Sequence, residues 1–193
     1  MKKFVFIALL ATQLMNAENV RDSINVDIMN RKNEVRVDLL SLIATSKLNI
    51  SYERFLGSKF SVGVALGYSK SAQINVDFDR GYRNSLPEYE VNPFVRYKLS
   101  RAQLHFYFAE VFVSANGGQF KEIVRETTGT AAYYNIEKSA YSDFGIGAGV
   151  GYKAYIKQKF PIEVMVGFGT NLFNKEKSPD VLSRVGVSFG YRF

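Results

Sequence analysis

Acid–base chemistry in this chain would have to begin at His105, the one histidine among 193 residues. A hydrolytic or acyl-transfer centre needs a base held by a carboxylate and an activated serine or water within reach. His105 stands beside Phe106 and Tyr107 with no nearby serine, and no triad assembles around it. The paired carboxylates Asp77 and Asp79 lack a surrounding calcium-loop pattern and are expected in a solvated loop. Gly117 and Gly118 lack the strand–glycine–helix context of a phosphate cradle and are expected in a turn. With no cysteine, disulfides, a lipoprotein anchor and thiolate metal sites are excluded. No catalytic, cofactor-binding or metal-ligating residue is therefore expected.

Charge at every second position is the more informative pattern. Arg36, Asp38, Glu53, Glu90, Arg96, Lys98, Glu110, Lys153, Glu163, Arg184 and Arg192 each lie in an extended segment whose other face is apolar. Side chains of a strand alternate between faces, so these charges share one side of a sheet. Buried charges of both signs must pair, because an isolated one costs several kcal/mol. A closed barrel with a charged interior and an apolar exterior satisfies both demands.

Eight segments carry the alternation. Glu34–Ile43 sets Val35, Val37, Leu39 and Ile43 against Arg36 and Asp38, and Leu48–Phe55 sets Leu48, Ile50 and Tyr52 against Asn49, Ser51 and Glu53. Phe60–Ser69 is the cleanest, with Phe60, Val62, Val64, Leu66 and Tyr68 on one face. Tyr89–Leu99 contains Pro93, which removes a ladder donor and predicts a bulge or weakened pairing there. For Gln103–Ser114, placing Glu110 inside puts Tyr107, Ala109, Val111 and Val113 outside and Phe106, Phe108 and Phe112 in the lumen. A bulge near Ala109 is the competing solution. Tyr141–Ile156 and Pro161–Phe173 follow, with Gly145, Gly147, Gly149, Gly151, Gly167 and Gly169 inward. Val181–Phe193 ends the chain with Val185, Val187, Phe189, Tyr191 and Phe193 on one face.

The connections sort by length. Turns at 56–59, 100–102 and 157–160 are short and fall at one end; the polar stretches 70–88 and 115–138 are long and fall at the other. Short periplasmic turns and long extracellular loops are the habit of outer-membrane barrels. Phe60, Tyr97, Tyr152, Phe160, Tyr191 and Phe193 gather at one height, as an interfacial aromatic girdle requires. Tyr133 and Tyr134 either cap strands above the membrane or form part of a binding surface.

At the N-terminus, Lys2 and Lys3 precede an apolar run from Phe4 to Ala11, too short for a spanning helix. Residues 1–17 read as a secretory signal peptide, although Met15 fits the small-residue cleavage rule poorly. Residues 18–32 are then a periplasmic lead and 33–193 the barrel domain. Ile24, Val26 and Ile28 alternate within the lead, so an additional strand is the alternative. The formal charge of +7 is scattered, which speaks against nucleic acid and suits a surface meeting anionic head groups.

These residues resemble the small eight-stranded barrels of the OmpA and OmpX kind. More narrowly, Asp38-Leu-Leu-Ser-Leu42, Leu48-Asn-Ile-Ser-Tyr-Glu-Arg54 and Ser61-Val-Gly-Val64 resemble a large family of outer-membrane barrels of unknown function. The resemblance implies an all-β, eight-stranded antiparallel transmembrane barrel in the Gram-negative outer membrane. It also implies that Phe189, Tyr191 and Phe193 act as the signal read by the barrel-assembly machinery. No peptidoglycan-binding domain is expected, so cell-wall tethering is not carried over. Function divides three ways: a structural or surface-interaction role with an extracellular ligand at loops 70–88 and 115–138, a narrow porin-like channel, or a lipid-modifying enzyme depending on His105. The inward glycines, with Gly186 and Gly190, are expected to make room for Arg96, Lys98 and Phe106 to reach across and plug the lumen. A thin water path is the alternative, though eight strands leave little width.

Overall fold

The computed structural model describes residues 26–69, 72–80, 82, 84–128 and 131–193. The signal-peptide reading of 1–17 and the position of Ile24 lie outside them, as do the side chains of Tyr133 and Tyr134. Eight antiparallel strands close into a barrel in which each strand pairs with its neighbours in sequence and β8 returns to β1. The strands are β1 (Asn33–Asp38), β2 (Lys47–Phe55), β3 (Phe60–Ser69), β4 (Ser85–Lys98), β5 (His105–Thr128), β6 (Ala131–Ile156), β7 (Phe160–Asn171) and β8 (Val181–Arg192). Three helices accompany them among the described residues: α1 (Val26–Asn30), α2 (Leu39–Thr45) and α3 (Ala72–Asp79).

The barrel closes through a reciprocal pair, Asn33 N–H to Phe193 O at 2.9 Å and Phe193 N–H to Asn33 O at 2.8 Å. Alternation holds along the wall. On β5, Phe106, Phe108, Glu110 and Phe112 are buried while Tyr107, Val111 and Val113 are exposed, and no register shift occurs at Ala109 against β4 or β6. Outward aromatics cluster at the end where the short turns lie: Phe60 packs on Tyr97 at 5.1 Å, Tyr107 on Tyr152 at 4.9 Å, and Phe160 on Tyr191 at 5.6 Å. Tyr68 lies opposite Tyr89 at the far end. From Phe60 to Tyr68 is about 27 Å along a tilted strand, enough for an outer-membrane apolar band. We call the short-turn end inner and the other outer. The β6–β7 connection is the tightest, with Lys157 and Gln158 at positive φ (50° and 61°) and Lys159 N–H bonded to Ile156 O at 3.2 Å. That is the primed turn whose twist matches a hairpin.

Several expectations need correction. The first strand stops at Asp38 rather than Ile43, and α2 takes the next seven residues. Asp38 accepts from Leu40 N–H at 3.0 Å and Ser41 N–H at 3.3 Å, which caps the helix where the strand ends. The stretch 70–88 is not a loop throughout: it holds α3 and the start of β4. The stretch 115–138 is not a loop but the outer part of the β5–β6 ladder, paired without a break from His105–Ala154 to Thr128–Ala131. At Pro93 the structure shows weakened pairing rather than a bulge: the β4–β5 ladder lapses at Asn92 and Pro93 without a change of register, and the register shift lies between Pro87 and Tyr89. Gly117 and Gly118 therefore form no turn. They lie opposite that shift, where a Cβ at Gly118 would run into Leu86 O. Alternation from 24 to 28 makes no ninth strand among the described residues, because Val26–Asn30 is helical.

Candidate functional site

Inward-facing side chains from seven strands meet in the centre of the lumen. β1 contributes Glu34 and Arg36, β2 Glu53, β4 Arg96, β5 Glu110, β6 Lys153 and β7 Glu163, with Arg184 arriving from β8. Arg36 bonds to Glu34 and, at 2.5 Å, to Glu53. Lys153 reaches Glu34 and Glu53, each at 2.7 Å, and lies 3.2 Å from Glu163. Arg96 spans the bore, donating to Glu110 at 2.6 Å, Glu53 at 2.9 Å and Glu163 at 2.8 Å. Arg184 closes the set on Glu110. Glu34, Glu53, Glu110 and Glu163 thus balance Arg36, Arg96, Lys153 and Arg184. The three glutamates that approach within 4.8 Å of one another (Glu34, Glu53 and Glu163) are each held by these cations, with Tyr155 and Ser61 donating to the other oxygens of Glu34 and Glu53.

Aromatic rings pack above and below the ions. Arg96 lies over Phe94 at 4.5 Å and Phe108 at 4.3 Å, and Arg184 lies over Phe112 at 4.7 Å. Such stacking favours a planar, weakly hydrated cation. The inward glycines serve these rings more than the long cations. A Cβ at Gly147 would overlap the Phe112 ring, one at Gly151 the Phe108 ring and one at Gly63 the Phe94 ring. Gly190 clears the Arg36 stem and Gly186 the Asp38 carboxylate.

The remaining sequence-selected charges lie away from this centre. Asp38 caps α2 and also accepts from Val187 N–H at 3.2 Å. Glu90 pairs with Lys47 at 2.8 Å in the outer half. Lys98 donates to Gln103 at 2.8 Å and lies over Phe106 at 4.6 Å near the inner end. Arg192 donates to Tyr155 OH at 2.9 Å and to Arg31 O at 2.7 Å, stacked on Phe55 at 3.7 Å. Tyr155 in turn donates to Glu34 at 2.5 Å, which links Arg192 to the central set. Glu34 and Tyr155 were missed from sequence, although each shares the parity of a chosen neighbour, Arg36 and Lys153. Below them Ile28 of α1 packs with Phe106, Phe108 and Tyr155 to cover the inner mouth.

Two cavities approach the central ions from opposite sides. The outer one, about 40 Å³, is bordered by Ser51, Ala65, Arg96, Glu163 and Arg184; the inner, about 10 Å³, by Glu53, Ser61, Arg96, Lys98 and Phe108. Arg96 is the one residue bordering both.

At the outer end, α3 buttresses the long β5–β6 ribbon. Phe78 is buried beneath Lys121 and Lys138, Lys121 donates to Phe78 O, and Asp79 pairs with Lys138 at 3.1 Å. Asp77 and Asp79 are thus on a helix rather than a loop. A second outer clamp forms at Asp143, which accepts from Phe173 N–H at 3.0 Å, Asn174 N–H at 2.9 Å and Ser178 OH at 2.6 Å, fixing the β7–β8 connection. His105 is exposed on the outward face of β5, level with Ala154 near the inner rim.

Wall, girdles and packed interior together define an eight-stranded barrel of the outer-membrane type. The chain belongs to the family described as "Protein of unknown function (DUF3575)", which matches residues 5–182. No curated protein matches it. Among solved structures it is similar to the N-terminal β-barrel domain of Pseudomonas aeruginosa OprF (TM-score 0.54, 9% identity, 84% of this chain and 98% of that one). It is likewise similar to Neisserial surface protein A (TM-score 0.50, 9% identity, 84% and 95%). At these identities the likeness concerns the fold.

Proposed function

We propose that the chain is a sealed outer-membrane platform that holds structured β projections outside the cell. In this reading residues 1–17 direct export, 18–32 stay in the periplasm, and 33–193 insert as the barrel. Phe189, Tyr191 and Phe193 engage the assembly machinery, and lipid surrounds the apolar band. The observation that carries the reading is the balanced ion set centred on Arg96. It fills the bore at mid-height, so solute passage is not the purpose of the fold. The protein's contribution then lies outside, in the ribbon of β5 and β6 beyond residue 115 and in α3, where an extracellular ligand would meet it. Catalysis has no support: His105 points outward, away from the lumen carboxylates. Protease added to intact cells expressing the chain tests the topology. Cleavage confined to 121–138, with the remainder protected, is expected; cleavage at 56–59 or 157–160 instead would reverse the orientation and sink the reading.

A narrow channel is the second reading, favoured by one observation: Arg96 borders both the outer and the inner cavity. In that reading a path opens when Arg96 and the carboxylates it holds shift together.

A further inference from the structure

The barrel wall is incomplete in its outer half. β1 ends at Asp38, opposite Ser188, so β8 from Val181 to Val187 has no β1 partner, and β2 from Lys47 to Asn49 has none either. Val187 N–H turns toward this notch to meet Asp38. Ladder alternation sends the amides of Val185 and Ser183 the same way. In hydrocarbon an uncovered edge costs several kcal/mol per polar group, so something must lie over it. That element is α2, which sits against β8 and β2. It packs loosely: it has no buried residue, and Leu39, Leu40, Leu42 and Ile43 are all exposed, Ile43 by 83%.

Behind α2 is a cavity of about 280 Å³, bordered by Ser41 and Thr45 of the helix, lumen-facing Lys47, Ser69 and Glu90, and the β8 edge at Ser183 and Val185. Pro87, Glu88 and Tyr89 of β4 border the cavity on the other side, and it meets the wall at the unpaired β8 edge beneath α2. A polar chamber thus lies directly behind the loosely packed α2. Inside stands the partly exposed Lys47–Glu90 pair at 2.8 Å, one charge of each sign. Outside lies the leucine and isoleucine face of α2.

We propose that this notch binds a single-chain amphiphile with a zwitterionic phosphodiester head. The phosphate faces Lys47, the ammonium faces Glu90, and the acyl chain leaves beside α2 into the bilayer. The site rests on the membrane reading above, and its test separates the two. The chain has no cysteine, so Ser69→Cys introduces one labelling position in the cavity and Val150→Cys, in a second protein, one on the lipid-facing wall. Each carries a small fluorophore and is refolded into phosphatidylcholine vesicles. Palmitoyl-lysophosphatidylcholine brominated along its chain is then titrated in. Saturable quenching at position 69 is expected, about tenfold weaker in affinity after Lys47→Met or Thr45→Trp, absent with the unbrominated lipid alone and relieved when that lipid is added in excess. Linear, unsaturable quenching at 69, or equal affinity for an uncharged monoacylglycerol, overturns the proposal. Brominated phosphatidylcholine in the bulk bilayer must quench at position 150; its failure would overturn the membrane reading itself. Heat-modifiable gel mobility of every variant verifies folding.

Discussion

Replacing Arg96 by Met keeps much of the side-chain volume and deletes the charge that three carboxylates share. Glu110, Glu53 and Glu163 accept from it at 2.6, 2.9 and 2.8 Å, and the set balances only with Arg96 present. The variant leaves one net negative charge in a region where side-chain exposure is 4% or less on each of those partners. Removing one member of a buried ion pair costs about 3–5 kcal/mol, because the partner stays buried and uncompensated. Loss of the stacking on Phe94 and Phe108 adds about 0.5–1 kcal/mol, part of which the thioether recovers. Against a native stability of about 5–15 kcal/mol, the change is a third or more of the whole. Urea titration in phosphatidylcholine vesicles, followed by far-ultraviolet circular dichroism, reads it as a shift in midpoint. Adding Glu110→Gln restores charge balance, and the two changes should couple by about 0.5–3 kcal/mol in a double-mutant cycle. A single-variant cost under about 1 kcal/mol with no coupling would mean that the charges are separately hydrated, and the packed-lumen reasoning would be wrong.

Asp38→Ala removes the α2 cap and the acceptor for Val187, so stability should fall by about 0.5–2 kcal/mol and protease should reach 39–45 sooner. Gly147→Val forces a side chain into the Phe112 ring, an overpacking worth about 1–3 kcal/mol in the same urea assay. Deleting 121–138 and joining the shortened hairpin should leave the barrel's heat-modifiable mobility unchanged, because those pairs stand beyond the β4 and β7 ladders.

Much of the wall could be read from period two alone. Glu110 fixed the phase of β5, since only one phase buries its charge, and the aromatic girdle followed from counting back from Phe193. Helix α2 was hidden because Leu39, Leu42 and Ile43 suit either a strand or a helix. Asp38 before two adjacent leucines was the available sign of a cap. The ribbon was hidden for a different reason: beyond the membrane neither face needs to be apolar, so residues such as Lys121, Glu122, Glu137 and Lys138 carry no alternation. The lumen charges were identifiable as a set, yet their partners were not. Strand tilt and stagger decide which inward residues share a height, and these appear only in the register. Glycine's role was assigned to the wrong side chains for the same reason: Gly147 and Gly151 face Phe112 and Phe108, from the adjacent strand, rather than Arg96.

Single-channel recording in a planar bilayer tests the sealed lumen most directly, with the wild-type chain and Arg96→Ala refolded side by side. The wild type should be silent, and Arg96→Ala should leak ions because it removes the side chain that borders both cavities and ties Glu53, Glu110 and Glu163 together. Stable, discrete openings in the wild type would contradict the account and make the barrel a channel.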